Sequence, residues 1–384
     1  MRARPPLPDV IDAHKIIVVC GTGGVGKTTI SAALALGAAL RGKRALVLTI
    51  DPAKRLANAL GIDGRLNEIT PIDLDAIRHD EPKKTGHLDA MMLDSKRTWD
   101  EVVCRFSQDE ETRDRILTNA YYQRAAGTLA GSQEYMAMEK LLQVHQSGDY
   151  DLIVLDTPPT RNALDFLEAP SRMIAVLQEG ILRWLIPREG RFSSARAGII
   201  LFGKGQQALF RLFERFTGAE VLSGIAEFMG AFAQLLDGMR SRASDVLNLL
   251  RSDQVAFVLV ASPRRLALAE TSHFHERLSE GGVAVRGLVI NRVRPPLALQ
   301  GHADVPEAAS EALPKRIDDL EWNAMVDEVW TTYQHERARQ LAEAQVTEEL
   351  ERQFGRGPAW VEVPEKEAAI HNLETLTMLL PHLQ

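Results

Sequence analysis

The sequence predicts an α/β fold: a doubly wound, mostly parallel sheet with a helical subdomain. Three observations predict it. Short apolar runs alternate along the chain with longer helical patterns, the arrangement of strands covered by helices on both faces. A glycine-rich turn joins the first apolar run to an Ala/Leu-rich stretch. Two later runs each end in an aspartate, which places acids at the carboxyl ends of strands, where open α/β sheets bind ligands.

The first strand is expected at 15–20, Lys-Ile-Ile-Val-Val-Cys, and a helix follows over Thr28–Leu40. Between them residues 21–29 read Gly-Thr-Gly-Gly-Val-Gly-Lys-Thr-Thr, a complete phosphate-binding P-loop in the required strand–loop–helix context. Gly21, Gly23, Gly24 and Gly26 let backbone N–H groups close around phosphate oxygens where a Cβ would collide. Lys27 is expected on the β- and γ-phosphates and the Thr28 hydroxyl on Mg²⁺. Val25 and Thr29 complete the cradle at the positive end of the helix dipole. A nucleoside triphosphate is the implied ligand.

The second strand, 44–50, runs into Asp51-Pro-Ala-Lys-Arg-Leu56. Asp51 is placed to orient or deprotonate a water, or to hold Mg²⁺ through one. Equally, it is placed to cap a helix opening at Pro52. A strand at 88–93 follows, then one at 151–156 that ends in Asp156 and continues as Thr157-Pro-Pro-Thr-Arg161. In P-loop proteins an acid there holds hydrated Mg²⁺, and the segment after it senses the γ-phosphate.

A helical subdomain is expected over 165–250, inserted in a single P-loop domain spanning 1–384. Within it Val221, Leu222, Ile225, Phe228, Met229, Phe232, Leu235 and Leu236 form an amphipathic stripe. Seven of the twelve phenylalanines lie within 192–232, so apolar area is concentrated there. Such stripes pack either on each other or around an apolar client helix. The remaining strands are expected at 255–260, 285–290 and 359–363, with polar loops at 187–196 and 294–306.

Four segments together resemble the ATPases of the arsenite pump and of tail-anchored membrane-protein targeting, the ArsA/Get-type family. They are Gly21–Thr29, Thr49-Ile-Asp-Pro-Ala53, Asp156-Thr-Pro-Pro-Thr160 and Gly287-Leu-Val-Ile-Asn291. The resemblance implies a Mg-dependent ATPase working as a homodimer, with two ATP molecules near the interface and a cycle of opening and closing. It also implies water activation by Asp51 and adenine contact by Asn291, with Pro263 as a further neighbour.

Two features depart from the pattern. Where the family's loop carries a lysine after its first glycine, this chain has the neutral Thr22. Lys54, Arg55 and Arg161 then stand either as replacement cations or as solvated charges. With only Cys20 and Cys104, neither a four-thiolate zinc clip nor cysteine capture of arsenite is expected. His273 and His275, two apart, fall on different helix faces and do not suggest a metal site.

Composition bounds the rest. Among 384 residues, 45% are hydrophobic and 25% charged, as in a globular protein. A net charge of −7 weighs against a broad nucleic-acid surface. The start, Met1-Arg-Ala-Arg-Pro-Pro-Leu-Pro8, lacks the apolar core of a signal peptide, and no run reaches the ~18 residues of a membrane span. A cytoplasmic location is expected. Besides a client-handling ATPase, the sequence leaves open a positioning or partition ATPase and a P-loop small-molecule kinase.

Overall fold

β1, Ile16–Cys20, is buried along its whole length, and its side chains divide between two cores. Ile16, Val18 and Cys20 join one apolar cluster; Ile17 and Val19 join the other. Successive side chains of a strand point to opposite faces, so a strand apolar at every position must be covered on both. This is the doubly wound arrangement in a single element.

The computed structural model describes residues 4–51, 55–62, 68–77, 86–126, 132–158, 168–172, 235–295, 319–366 and 369–383. Eight described strands form one sheet in the order β3-β4-β2-β5-β1-β6-β7-β8. They are β1, β2 (Arg44–Thr49), β3 (Thr70–Ile72), β4 (His87–Met92), β5 (Leu152–Asp156), β6 (Val255–Ala261), β7 (Val285–Val293) and β8 (Ala359–Pro364). Every neighbouring pair is parallel except β3–β4.

One face carries α1 (Leu7–Ala13), α2 (Lys27–Leu40) and α3 (Arg55–Leu60). The other carries α4 (Ser95–Phe106), α5 (Glu110–Thr118), α6 (Ala120–Ala125), α7 (Ser132–Ser147), α8 (Leu236–Leu250) and α9 (Arg265–Glu280). α2 buries a continuous Ala/Leu surface, including Ala32, Ala33, Ala35, Leu36 and Ala39, because small side chains let it lie close on β2 and β5. On the opposite face Glu139 of α7, 3% exposed, accepts from Arg242 of α8 at 2.6 and 2.9 Å and from Arg105 of α4. Three helices are therefore joined by a charge cluster centred on one buried carboxylate.

All seven expected strands are present. β3 is an addition: it is three residues long and contains Pro71, so it offers neither alternation nor a full donor row, and it sits at the sheet edge as proline requires. β7 runs three residues past its expected end, and Asn291 lies within it opposite Val363. The C-terminal stretch after β8 holds two short helices, α11 (Leu373–Thr377) and α12 (Leu380–Leu383), the first closed by a reciprocal Asn372–Thr375 capping box. Before β8 runs α10 (Asp319–Phe354), 36 residues and about 54 Å long at 1.5 Å per residue. The expected subdomain at 165–250 falls largely outside the described residues: only 168–172 and the α8 end are described, so most of its apolar stripe is too. Among the described residues, no helix is long and apolar enough to cross a membrane.

Candidate functional site

The loop after β1 is shaped by what surrounds it. A Cβ on Gly21 would stand 2.2 Å from the Val260 carbonyl oxygen, so only glycine lets the loop leave β1 against β6. Gly26 has φ 93° and caps the N-terminus of α2, and a Cβ there would meet the Asn291 amide at 2.3 Å. Gly23 and Gly24 are exposed, Val25 is buried, and Thr28 and Thr29 are half-buried in the first turn of α2. That turn contains no acidic residue, which leaves its N–H groups and dipole for an external anion.

Lys27 is 6% exposed and rests its ammonium on the Thr22 carbonyl oxygen at 2.9 Å. Burial lowers its pKa, against the attraction of Asp156. A lysine held on a backbone carbonyl is pre-placed for phosphate and gives up only a neutral partner to reach it.

Asp156 is fully buried at the end of β5, beside Thr49 of β2 and Val19 of β1. Its Oδ2 accepts from the Thr28 hydroxyl at 2.7 Å and from the Thr49 hydroxyl at 2.8 Å. Its Oδ1 is buried and has no hydrogen-bond partner among the described residues. Burial pushes this carboxyl up to about 6, opposed by the two hydroxyls and Lys27. An orphaned lone pair inside a protein is costly, and here it belongs to the carboxylate whose other oxygen is held by Thr28 in the first turn after the glycine-rich loop.

Asp51 lies two residues past β2 and is 8% exposed. Its backbone N–H donates to the Thr49 hydroxyl oxygen at 3.2 Å, and Arg55 Nη1 sits 3.2 Å from its Oδ2. The alternative of a cap at Pro52 concerns 52–54, outside the described residues. The Gln133 side chain, at the start of α7, donates to the Ile50 carbonyl at 3.4 Å and ties that helix to the same segment.

Asn291 is brought to the loop rather than left facing solvent. Its Nδ2 donates to the Val25 carbonyl at 2.7 Å, and its Oδ1 accepts from the Arg292 N–H at 3.0 Å. Arg292 has φ 63°, unusual for a non-glycine residue, at a register shift between β7 and β8. Pro263 is buried two residues beyond β6. Loop, Lys27, Thr28, Asp51, Asp156 and Asn291 thus gather at the carboxyl ends of β1, β2, β5 and β7.

Three partners carry contacts that no sequence motif assigned to them. Thr49 and Thr157 are threonines at strand ends; Thr157 fixes the start of its segment by donating to the Val19 carbonyl at 2.9 Å. Gln133 is the third. The pairing of an acid-ending strand with a neighbour ending in Thr was the one usable signal. Cys20 is buried, with its thiol pushed up to about 12, so it is not a nucleophile; Cys104 is exposed on α4.

Comparison with known proteins finds similar ATPases. Residues 14–188 match the anion-transporting ATPase family model. The chain is 27% identical to the ATPase GET3 of Malassezia globosa over 326 residues, covering 83% of this chain and 86% of that protein. It is 28% identical to the ATPase ARSA2 of Chlamydomonas reinhardtii over 301 residues, 77% of this chain and 73% of that one. Against the ATPase get3 of Schizosaccharomyces pombe it is 25% identical over 355 residues, 90% and 93% of the two chains.

Proposed function

We propose, from the premise that this chain belongs to the ArsA/Get-type family of P-loop ATPases, that its ATP hydrolysis is Mg-dependent and drives a conformational cycle serving an apolar client helix or a membrane partner. The observation that carries the metal assignment is Asp156: an acid held by Thr28 and Thr49, with an oxygen left unpartnered. The donors fit a hard, hydrated cation, with the Thr28 hydroxyl as direct ligand and Asp156 and Asp51 acting through water. When bound, Mg²⁺ supplies charge neutralisation on the β- and γ-phosphates.

The chain's own residues do the rest. The amides of Gly23–Thr29 and the Lys27 ammonium hold the phosphates. Asn291 keeps one amide hydrogen beyond its bond to Val25 and offers it to adenine, and Pro263 forms the neighbouring wall. Asp51 accepts a proton from water as the water oxygen bonds to the γ-phosphorus and the β–γ bridging bond breaks; ADP carries away the electron pair, and the proton passes to phosphate. One P-loop per chain makes a two-ATP assembly a homodimer. We assign the handling of the client or partner to 165–250 and the cytoplasm, where ATP is supplied, as the place of work.

The test is ATP hydrolysis without any added acceptor, titrated with Mg²⁺ and compared with Lys27→Ala. Turnover that requires Mg²⁺ and Lys27 sustains the reading. A strict requirement for a phosphate acceptor would make the chain a kinase, and ATP-dependent pelleting with DNA would make it a partition protein.

A further inference from the structure

β7 does not end at Asn291. It passes through Arg292, with φ 63° at the register shift against β8, to Val293, whose carbonyl accepts from the Glu365 N–H at 2.8 Å. A side chain in the left-handed region is strained, and such a residue keeps that conformation only while the chain on both sides of it is fixed. Upstream, Asn291 supplies the hold. Its Oδ1 accepts the Arg292 N–H, its Nδ2 donates to the Val25 carbonyl, and it is seated so closely on the loop that a Cβ on Gly26 would collide with it.

Downstream, beyond the bond from Glu365, the hold comes from α10. Of the basic residues around the site, Lys54 and Arg161 lie outside the described residues. Arg294 lies within them, partly buried, with Nε donating to Glu343 Oε1 at 3.1 Å and Nη1 donating to Glu336 Oε2. The Gln340 side chain donates to the Pro295 carbonyl at 2.9 Å. Glu336, Gln340 and Glu343 are four and three residues apart and so share one helix face. Farther along α10, Val346, Leu350 and Phe354 are buried in the core, and Phe354 lies against His275 of α9 with ring centres 4.2 Å apart. Apolar burial thus anchors the helix at one end, and a polar grip closes on the two residues that follow β7. The grip is strong for its size: a guanidinium fork sits between two carboxylates, and Glu343 Oε2 is buried with no hydrogen-bond partner among the described residues.

We propose that Arg294 is a positioning residue for the nucleotide: gripped by α10, it keeps Arg292 in its left-handed conformation and thereby keeps Asn291 on the phosphate loop. Arg294 itself touches no part of ATP. Such a role presupposes that the loop binds ATP, as proposed above, and the unmodified chain tests that by itself.

ATP affinity by equilibrium titration, with steady-state KM and kcat, is measured on the full chain, on Arg294→Ala, and on Glu336→Ala combined with Glu343→Ala, which releases the same grip from the α10 side. Both variants are expected to weaken ATP binding and raise KM by about five- to tenfold, with kcat within about twofold of the parent. Two further variants separate positioning from general damage. Glycine reaches φ 63° without strain, so Arg292→Gly combined with Arg294→Ala should recover most of the lost affinity. In an Asn291→Ala background, Arg294→Ala should add less than about twofold, because the residue it acts through is already gone. Losses that multiply in that background, or a glycine that restores nothing, would overturn the positioning role and leave Arg294 only a part in holding α10. ATP affinity unchanged in both grip variants would overturn it as well. Absence of ATP binding by the unmodified chain would sink the function proposed above together with this role, whereas a chain that binds ATP but ignores the grip variants sinks this role alone.

Discussion

The ends of β2 and β5 carry the two acids of the site, and the molecule treats them in opposite ways. Asp156 is the last residue of its strand, fully buried, and fixed by two hydroxyls from two different elements. Asp51 lies beyond its strand at the rim, and Arg55, which meets its carboxylate, is more than half exposed. Under the proposed function the contrast separates two tasks: an acid that keeps a cation at constant geometry belongs inside the sheet, where neighbours on both sides are fixed, and an acid that acts on a water belongs beyond its strand, beside an exposed side chain.

Removing the fixed acid should break the comparison most severely. Asp156→Ala is expected to lower Mg-dependent turnover by about 10³-fold, since under the proposed function it deletes the carboxylate that organises the metal's water shell; steady-state hydrolysis across a Mg²⁺ series measures it. Turnover restored by raised Mg²⁺ would reduce Asp156 to an affinity role.

The rim acid should behave differently. Under the proposed function Asp51→Asn is expected to slow hydrolysis by about 10²-fold while ATP still binds, because general-base assistance is lost and the phosphate cradle is intact. Single-turnover hydrolysis beside nucleotide titration separates the two effects. If affinity falls as far as the rate, the two acids share one role and the distinction fails.

A third prediction uses pH and the protein without nucleotide. The Asp156 carboxyl is pushed from 3.8 to about 6 on folding, so the folded state holds this proton more tightly than the unfolded chain. Its contribution favours the fold below pH 4 and is lost as pH climbs from about 4 through 6. Two units correspond to about 3 kcal/mol as an upper bound. Asp156→Asn, which cannot ionise, should therefore be more stable than the parent at pH 7, and the gap should close toward pH 4. Denaturant melts at the two pH values check this; a gap that does not change with pH would mean Asp156 is not strained by its charge.

The smallest effect belongs to the strand neighbour. Thr49→Val removes one of the two hydroxyls on Asp156 and the acceptor of the Asp51 N–H, with volume nearly kept. A loss of about 1 kcal/mol in stability is expected, with turnover reduced severalfold. Thermal melts and kinetics on one preparation suffice, and a silent substitution would show that Thr28 alone fixes Asp156.

The legible part of the molecule was whatever one strand or one loop decides alone. β1, β2, β5 and β6 are apolar at nearly every position because both faces are covered, and a run of that kind is visible without knowing its neighbours. The P-loop is equally local. What stayed hidden depends on which strands become adjacent. Thr49 touches Asp156 only because β2 lies beside β5, 107 residues apart in the chain. Asn291, expected at adenine by resemblance, also holds the loop through Val25, a bond spanning 266 residues. β3 escaped for a different reason: three residues containing a proline carry no period.

That bond between Asn291 and Val25, with Val260 backing Gly21, sets the order in which the protein becomes able to see ATP. A nascent chain ending after Asp156 already contains the loop, Lys27, Thr28 and both acids, but neither β6 nor β7, the strands against which the loop takes its shape. At roughly 5–20 residues per second, synthesis from Thr29 to Asn291 lasts roughly 15–50 s. During that interval the loop sequence exists without its mould. ATP, which stabilises by mass action whatever state binds it, then acts selectively on chains that have closed the far side of the sheet, and so favours finished molecules over fragments.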